Sequence, residues 1–295
     1  METRIAVAQS ALGSDKKRNL KGAVALIERA AAGGARAVCF PDYFLTGVPT
    51  TDDVGKLERI AEPVPNGPSV KVLAAAAAEH DIYVIAGTLV ESGEDGRLYS
   101  TCAFLGPDGS LVGKIRKSHP ENAPAKHELG CGIVAADPEY RVFDTEFGKV
   151  GIMLDMEGIA VEVPRILEVK GAEIIFWPLN FSARFPGVGT EVACYSGFTH
   201  AYVAAACGVG WAKDVPCHPE AFYGEPRADL FYPGGSAIGF CGEIIARAPS
   251  FSEGMAYAFV DPARVQGVRA SRRKHIPLER RPETYGVLAT PISKL

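Results

Sequence analysis

The sequence predicts an α/β fold in which mixed β-sheets are covered by helices. Short apolar runs typical of buried strands alternate with segments whose apolar residues recur at helical spacing. Two turn-rich connectors, at 106–110 (GPDGS) and 240–243 (FCGE), each join two strand-like runs and predict hairpins, so the sheets are not purely parallel. The 295 residues contain no low-complexity linker and no internal repeat, which favours a single domain over residues 1–295.

The predicted elements follow one another along the chain in this order. The first is a buried strand at 4–9, followed by a helix at 19–33 that ends where Gly33 and Gly34 meet. The further predicted strands are 37–40, 82–90, 100–105, 111–115, 150–154, 174–177, 202–206, 236–240, 243–247 and 255–260, and the further helices are 69–80, 161–170, 190–201 and 262–270. Residues 271–295 are expected to form an extended C-terminal tail that contacts a second subunit.

Composition excludes several classes of function. The net charge of −4 gives no basic surface for nucleic acid, and no apolar run is long enough to span a membrane. The seven cysteines are odd in number and include no CxxC pair, which indicates reduced thiols and not a disulfide framework. We therefore expect a cytoplasmic protein whose partner is a small-molecule substrate, with no nucleic-acid or membrane partner.

Four segments, taken together, resemble the carbon–nitrogen hydrolase (nitrilase) superfamily. They are FPDYFLTG at 40–47, GKIRKSH at 113–119, the run at 150–178 that begins VGIMLDMEG, and GGSAIGFCGEIIA at 234–246. RRPETYG at 280–286 resembles the C-terminal tail of that family. The resemblance implies a four-layer αββα sandwich, hydrolysis of nitriles, amides or carbamoyl amines, and a homodimer or higher homo-oligomer. No cofactor is expected, and no metal site is expected either, because the histidines and cysteines have no zinc-ligand spacing.

The same resemblance implies three catalytic positions, and two of them carry a different residue here. Family members use a Glu as general base, a Lys that stabilises the oxyanion and a Cys that attacks the substrate carbon; the corresponding residues are Asp42, Lys117 and Asp155. A carboxylate is a weak nucleophile toward an amide, and the anhydride it would form lies uphill. The thioester route is therefore closed, and Cys131, in a nearby loop, is interpreted as a structural thiol.

The two substitutions add negative charge around the retained lysine. Asp42, Asp155 and Glu157 would crowd Lys117, which predicts either a carboxyl group kept protonated by its neighbours or a pocket for a cationic ligand. Carboxyl groups whose pKa values are pushed apart can serve as acid and base without an acyl-enzyme. The alternative is a buried salt bridge in a catalytically inactive protein that keeps a binding or scaffold role.

Five further residues are predicted to bind substrate beside this cluster. Glu121 and Glu128 are both candidates for the additional site Glu of the family, and the sequence does not choose between them. Glu157 and His119 are expected beside Asp155 and Lys117, and Phe181, with Phe185, is expected to line the substrate entrance after a strand. The predicted activity is hydrolysis of a small polar amide, carbamoyl or amidine-type molecule by non-thiol acid–base chemistry.

Overall fold

The computed structural model describes residues 2–181, 187–217, 224–275 and 281–290. Its strands are β1 (Thr3–Gln9), β2 (Ala37–Cys39), β3 (Tyr83–Ile85), β4 (Leu89–Ser92), β5 (Leu98–Leu105), β6 (Leu111–Arg116), β7 (Val142–Thr145), β8 (Gly148–Ile152), β9 (Ile174–Leu179), β10 (Tyr202–Cys207), β11 (Val209–Pro216), β12 (Arg227–Pro233), β13 (Ala237–Phe240), β14 (Glu243–Arg247) and β15 (Gly254–Val260). Its helices are α1 (Lys16–Ala32), α2 (Pro68–Glu79), α3 (Glu162–Val169), α4 (Val188–Thr199) and α5 (Pro262–His275).

Two large sheets are built on the same plan. The first has the order β15-β1-β2-β3-β5-β4 with β6 paired to β5, and the second has the order β14-β13-β10-β9-β8-β7. In each, parallel strands occupy the centre, β1-β2-β3 and β8-β9-β10, while the outer pairings are antiparallel. The predicted mixed sheets are therefore confirmed, and strands β11 and β12 form a separate two-stranded ribbon.

Burial shows how these elements are layered. The inner faces of the two sheets share one apolar core, to which Ile5 contributes from the first sheet and Phe176 from the second. Helices α1 and α2 cover the outer face of the first sheet with residues such as Ile27, and α3 and α4 cover that of the second with residues such as Leu167. Each such fully buried side chain contributes about 1.5–3 kcal/mol, and the arrangement is the expected αββα sandwich.

The structure differs from the predicted elements in three places. The predicted strand at 82–90 is two strands, because Gly87 adopts φ 46° and a Cβ at this position would lie 2.0 Å from the carbonyl oxygen of Pro41. Strands β7, β11 and β12 were not predicted. Helix α5 continues to His275, so the segment expected to be extended from residue 271 begins as helix.

The cellular location and the subunit count stay predictions. Across the described ranges, no helix combines the length and apolar character needed to cross a bilayer. Large apolar side chains are exposed on and beside α3 and α4, namely Val161, Val169 and Phe198. Exposed apolar surface of this kind is compatible with the predicted homo-oligomer.

Candidate active site

The three predicted catalytic residues meet where three strands end. Asp42 follows β2, Lys117 comes directly after β6, and Asp155 follows β8, so both sheets contribute to one cluster. The ammonium of Lys117 lies 3.3 Å from Oδ1 of Asp42 and 3.4 Å from Oδ2 of Asp155. All three side chains are fully buried. The spatial expectation that the sequence raised for these residues is thus met.

Asp155 is the first residue of a 3-10 turn, Asp155–Gly158, that follows β8. Its φ of 48° is left-handed, a conformation that costs a non-glycine residue on the order of 1–3 kcal/mol and concentrates at functional sites. The indole nitrogen of Trp177 donates to the carbonyl oxygen of Asp155 at 2.9 Å. Gly158 is required beneath the same indole, because a Cβ would lie 2.1 Å from a ring atom. Packing on Trp177 therefore holds the turn that carries Asp155.

Asp42 is held by groups from both sheets. The Thr88 hydroxyl donates to Oδ1 of Asp42 at 2.6 Å, and the side-chain amide of Asn180 donates to the backbone carbonyl of Asp42. The backbone N–H of Asn180 also donates to Oδ1 of Asp155 at 3.4 Å. Asn180, which sequence reasoning missed, therefore links the two aspartates from the end of β9.

The structure selects Glu128 as the additional site glutamate. Its Oε1 lies 2.7 Å from Nζ of Lys117 and accepts a 2.6 Å hydrogen bond from the Tyr43 hydroxyl. Its Oε2 accepts the backbone N–H of Glu121 at 2.7 Å. The Lys117 ammonium also lies 5.2 Å from the centroid of the Tyr43 ring, within the range of a cation–π interaction. Lys117 is thus anchored independently of residue 155.

A second lysine, Lys126, completes the cluster, and sequence reasoning missed it. Its ammonium forms ion pairs with Oδ2 of Asp42 at 3.0 Å and with Oδ2 of Asp155. It arrives from the loop after β6, where its backbone N–H donates to Ala123 at 2.9 Å. Among the described residues, its Nζ has no partner that meets hydrogen-bond geometry. The ammonium is therefore held by electrostatic attraction to the two carboxylates and not by directional hydrogen bonds. The sequence signal that could have indicated this lysine is the excess of acidic residues predicted around Lys117, which requires a second cation.

The charges in this cluster push the pKa values of the two aspartates in opposite directions. Burial raises the pKa of Asp42, and Lys117 and Lys126 offset only part of that rise. Burial also acts to raise the pKa of Asp155, but Lys126 and Lys117 outweigh it and lower this pKa to about 2. Burial acts to lower the pKa of Lys117, yet the surrounding carboxylates raise it well above its ordinary value. Asp155 is therefore the more acidic member of the pair.

Glu157 does not occupy the predicted substrate-binding position. One of its oxygens accepts hydrogen bonds from the backbone N–H and the hydroxyl of Ser118, both at 2.7 Å. The other accepts the backbone N–H of Leu154 at 2.8 Å. Both oxygens are used to join the turn of Asp155 to the strand end that carries Lys117. Glu157 is therefore a bracing residue.

The structure places the other residues predicted to bind substrate in different environments. His119 is exposed and lies 2.9 Å from the Ser118 hydroxyl, so it braces Ser118 and not Lys117. Phe181 is buried and stacks edge-on against Trp177 at 5.8 Å, which makes it a core residue and corrects its predicted place at the entrance. Phe185 lies outside the described residues. Glu121 is partly buried, and burial raises the pKa of its carboxyl while Lys126 partly opposes the rise.

Cys131 lies outside the charged cluster. The thiol is buried among apolar residues and donates to the carbonyl oxygen of Thr50 at 3.2 Å. Burial raises its pKa to about 11, so the thiol stays protonated near neutral pH. This placement agrees with its interpretation as a structural thiol.

Comparisons with known proteins agree with this fold. The carbon–nitrogen hydrolase family profile matches residues 4–270, and the chain belongs to that family. The omega-amidase NIT2 of Danio rerio is 28% identical over 291 residues, covering 96% of each chain. The omega-amidase NIT2-A of Xenopus laevis is 32% identical over 182 residues, which are 61% of this chain and 64% of that relative. That second match thus spans less than two thirds of the relative.

A solved structure supports the fold itself. The carbon–nitrogen hydrolase from Helicobacter pylori G27 superposes with a TM-score of 0.84, covering 98% of this chain and 99% of the other. The two chains are 22% identical, so the likeness establishes architecture. The α/β sandwich predicted from the sequence is confirmed.

Proposed function

We propose that this protein hydrolyses the C–N bond of a small polar amide or carbamoyl compound by direct attack of water, without a thioester. The observation that carries the proposal is the arrangement of two fully buried carboxyl groups, Asp42 and Asp155, which share ion pairs with the same two lysines, Lys117 and Lys126. Burial raises the pKa of Asp42, whereas the two lysines lower the pKa of Asp155. Two neighbouring carboxyl groups with separated pKa values can divide acid–base roles. Membership of the carbon–nitrogen hydrolase family and the omega-amidase relatives supply the class of bond.

The proposed roles follow from these environments. Asp42, whose pKa is raised, takes the proton of water while the water oxygen attacks the substrate carbon. The C–N bond then breaks, and Asp42 passes that proton to the leaving nitrogen, giving a carboxylic or carbamic acid and an amine or ammonia. Lys117 stabilises the oxyanion, and Asp155 remains ionised and orients the water.

The direct test is release of ammonia or amine from a panel of small amides, carbamoyl compounds and amidines. We expect turnover by the wild type and a loss of about 100-fold or more in Asp42→Asn, the usual contribution of a general acid–base group. Lys17→Met, an exposed position on α1, is the matched control and should retain full turnover. No product with any substrate, or equal rates for wild type and Asp42→Asn, would reject the proposal.

A second candidate function is ligand binding without catalysis. It is favoured by one observation, since Lys126 already forms ion pairs with both aspartates in a buried cluster. This candidate predicts that a small ligand raises the melting temperature of the wild type while no product forms. It also predicts that Asp155→Cys, which restores a thiol at the turn, releases ammonia from amides that the wild type leaves intact. Turnover by the wild type excludes it.

A further inference from the structure

The position between the two aspartates is already occupied by a cation that belongs to the chain. Lys126 Nζ lies 3.0 Å from Oδ2 of Asp42 and in ion-pair contact with Oδ2 of Asp155, and its side chain is 9% exposed. An amine, amidine or guanidine ligand would bind the same carboxylate oxygens. It would have to compete with an ammonium tethered at the site.

Lys126 is held differently from Lys117, although both are lysines in the same cluster. Lys117 makes a 2.7 Å hydrogen bond to Glu128, which is itself fixed by Tyr43. Lys126 comes from a loop and, within the described part of the chain, its ammonium makes no hydrogen bond of good geometry. Its position therefore depends on the charges of Asp42 and Asp155.

Displacement of Lys126 by a cationic ligand is unfavourable for a simple reason. The ammonium would lose two ion pairs in a buried environment, where uncompensated charge is expensive. A neutral amide makes no such demand, because it can hydrogen-bond to the lysines and carboxylates while all of them keep their charge partners. The Lys126 ammonium thus discriminates between ligands that have the same shape and differ in charge.

We propose that Lys126 is a specificity-determining residue that makes the site select neutral amides and reject cationic amidines of the same shape. The inference rests on the proposed function only in placing the ligand at Asp42, Lys117 and Asp155. It revises the cationic-ligand alternative that the sequence raised, because the cation which the acidic excess required is supplied by residue 126.

The test uses acetamide and acetamidine, a neutral and a cationic ligand of nearly equal shape, with the full-length protein. Their dissociation constants are measured by calorimetry for wild type, Lys126→Met and the exposed control Lys17→Met. We expect wild type and Lys17→Met to bind acetamide more tightly than acetamidine. In Lys126→Met the ratio should shift toward acetamidine by about tenfold or more, since the competing ammonium is gone.

A double variant keeps the test decisive if Lys126→Met does not fold. Lys126→Met/Asp155→Asn removes one positive and one negative charge, so the cluster keeps the net charge of the wild type. If the position of the Lys126 ammonium, and not the net charge of the cluster, determines the ratio of the two dissociation constants, this variant still favours acetamidine more than the wild type does. A ratio unchanged from wild type in every folded variant, tighter binding of acetamidine by the wild type, or no binding of either ligand by any variant overturns the inference.

The outcomes separate this inference from the proposed function. A shifted binding ratio without turnover of any amide keeps the role of Lys126 and rejects hydrolysis. Turnover of amides with an unchanged ratio keeps hydrolysis and rejects the role of Lys126.

Discussion

The two halves of the buried cluster are built on different principles. In the anchored half, Lys117, Glu128 and Tyr43 are joined by hydrogen bonds of 2.7 Å and 2.6 Å. In the ion-paired half, Asp42, Lys126 and Asp155 are held together by charge, and the Lys126 ammonium has no partner of hydrogen-bond geometry among the described residues. Lys117 touches both halves, through contacts of 3.3 Å and 3.4 Å to the aspartates.

The difference shows what a buried carboxylate at residue 155 requires. The anchored half keeps the lysine that the family resemblance assigns to the oxyanion, and it needs nothing from residue 155. The ion-paired half contains Asp42 and Asp155, where the resemblance implies Glu and Cys, together with the cation Lys126. A buried carboxylate at position 155 needs a charge partner, and the loop after β6 supplies it.

The largest expected effect comes from breaking the anchored half. Lys117→Met should lower the free energy of unfolding by about 3–5 kcal/mol, because three buried carboxylates lose a shared cation. Urea denaturation at neutral pH measures it, with the exposed Lys17→Met as the control. A loss below about 1 kcal/mol, the value of a surface ion pair, would show that the buried network is not a structural element.

Breaking the ion-paired half should cost less, and the cost should be recoverable. Lys126→Met is expected to lower stability by about 3 kcal/mol, because Asp155 and Asp42 then lack their shared ion-pair partner. Adding Asp155→Asn removes the uncompensated charge and should recover most of that loss. Calorimetric melting of both single variants and the double variant gives the coupling energy. Strict additivity of the two substitutions would contradict the direct pairing.

Acid titration tests the ion-paired half through the ionisation of Asp155. Its pKa is about 2 in the folded protein, below the unfolded value near 3.9, so its ionisation stabilises the fold above that value. About 2 kcal/mol of stability should disappear as the pH falls from about 4 toward 2. Asp155→Asn should lack this acid-dependent loss in denaturant titrations at stepped pH, and a loss identical to the wild type would contradict the assignment.

Asp42 provides the opposite case. Because burial raises its pKa, the folded state holds the proton of Asp42 more tightly than the unfolded state does. Its contribution to stability is therefore present at low pH and falls as the pH rises above the unfolded value, about 4. In Asp42→Asn the decline of stability above that pH should be smaller than in wild type. An unchanged slope would indicate that Asp42 titrates normally.

The smallest expected effect lies just outside the cluster. Cys131→Ala removes a buried sulfur that packs beside Tyr43 and should cost about 1 kcal/mol of stability. Turnover and ligand binding should be unchanged, because the thiol bonds to a backbone carbonyl and not to the charged residues. Loss of activity in a folded Cys131→Ala protein would reassign this cysteine to the site.

The parts of the site that the sequence predicted share one property, which is that they follow strands. Asp42, Lys117 and Asp155 each lie close after a strand of recognisable apolar pattern, and the ends of β2, β6 and β8 bring them together from both sheets. Residues in irregular segments were predicted poorly. Phe181 packs in the core and Glu157 braces the turn, because the same strand-to-loop position can face either the charged cluster or the packing behind it.

The α/β architecture and the acidic residue at the turn after β8 can be predicted from the sequence alone, because strand and helix periodicities and the motif residues are local properties of the chain. Which charged side chains form pairs depends on the tertiary structure. Glu128 in place of Glu121, Lys126 between two aspartates and Asn180 bridging both sheets depend on the path of loops without periodicity. Buried ion pairs join residues far apart in sequence, so their partners are fixed by where the folded backbone places each side chain.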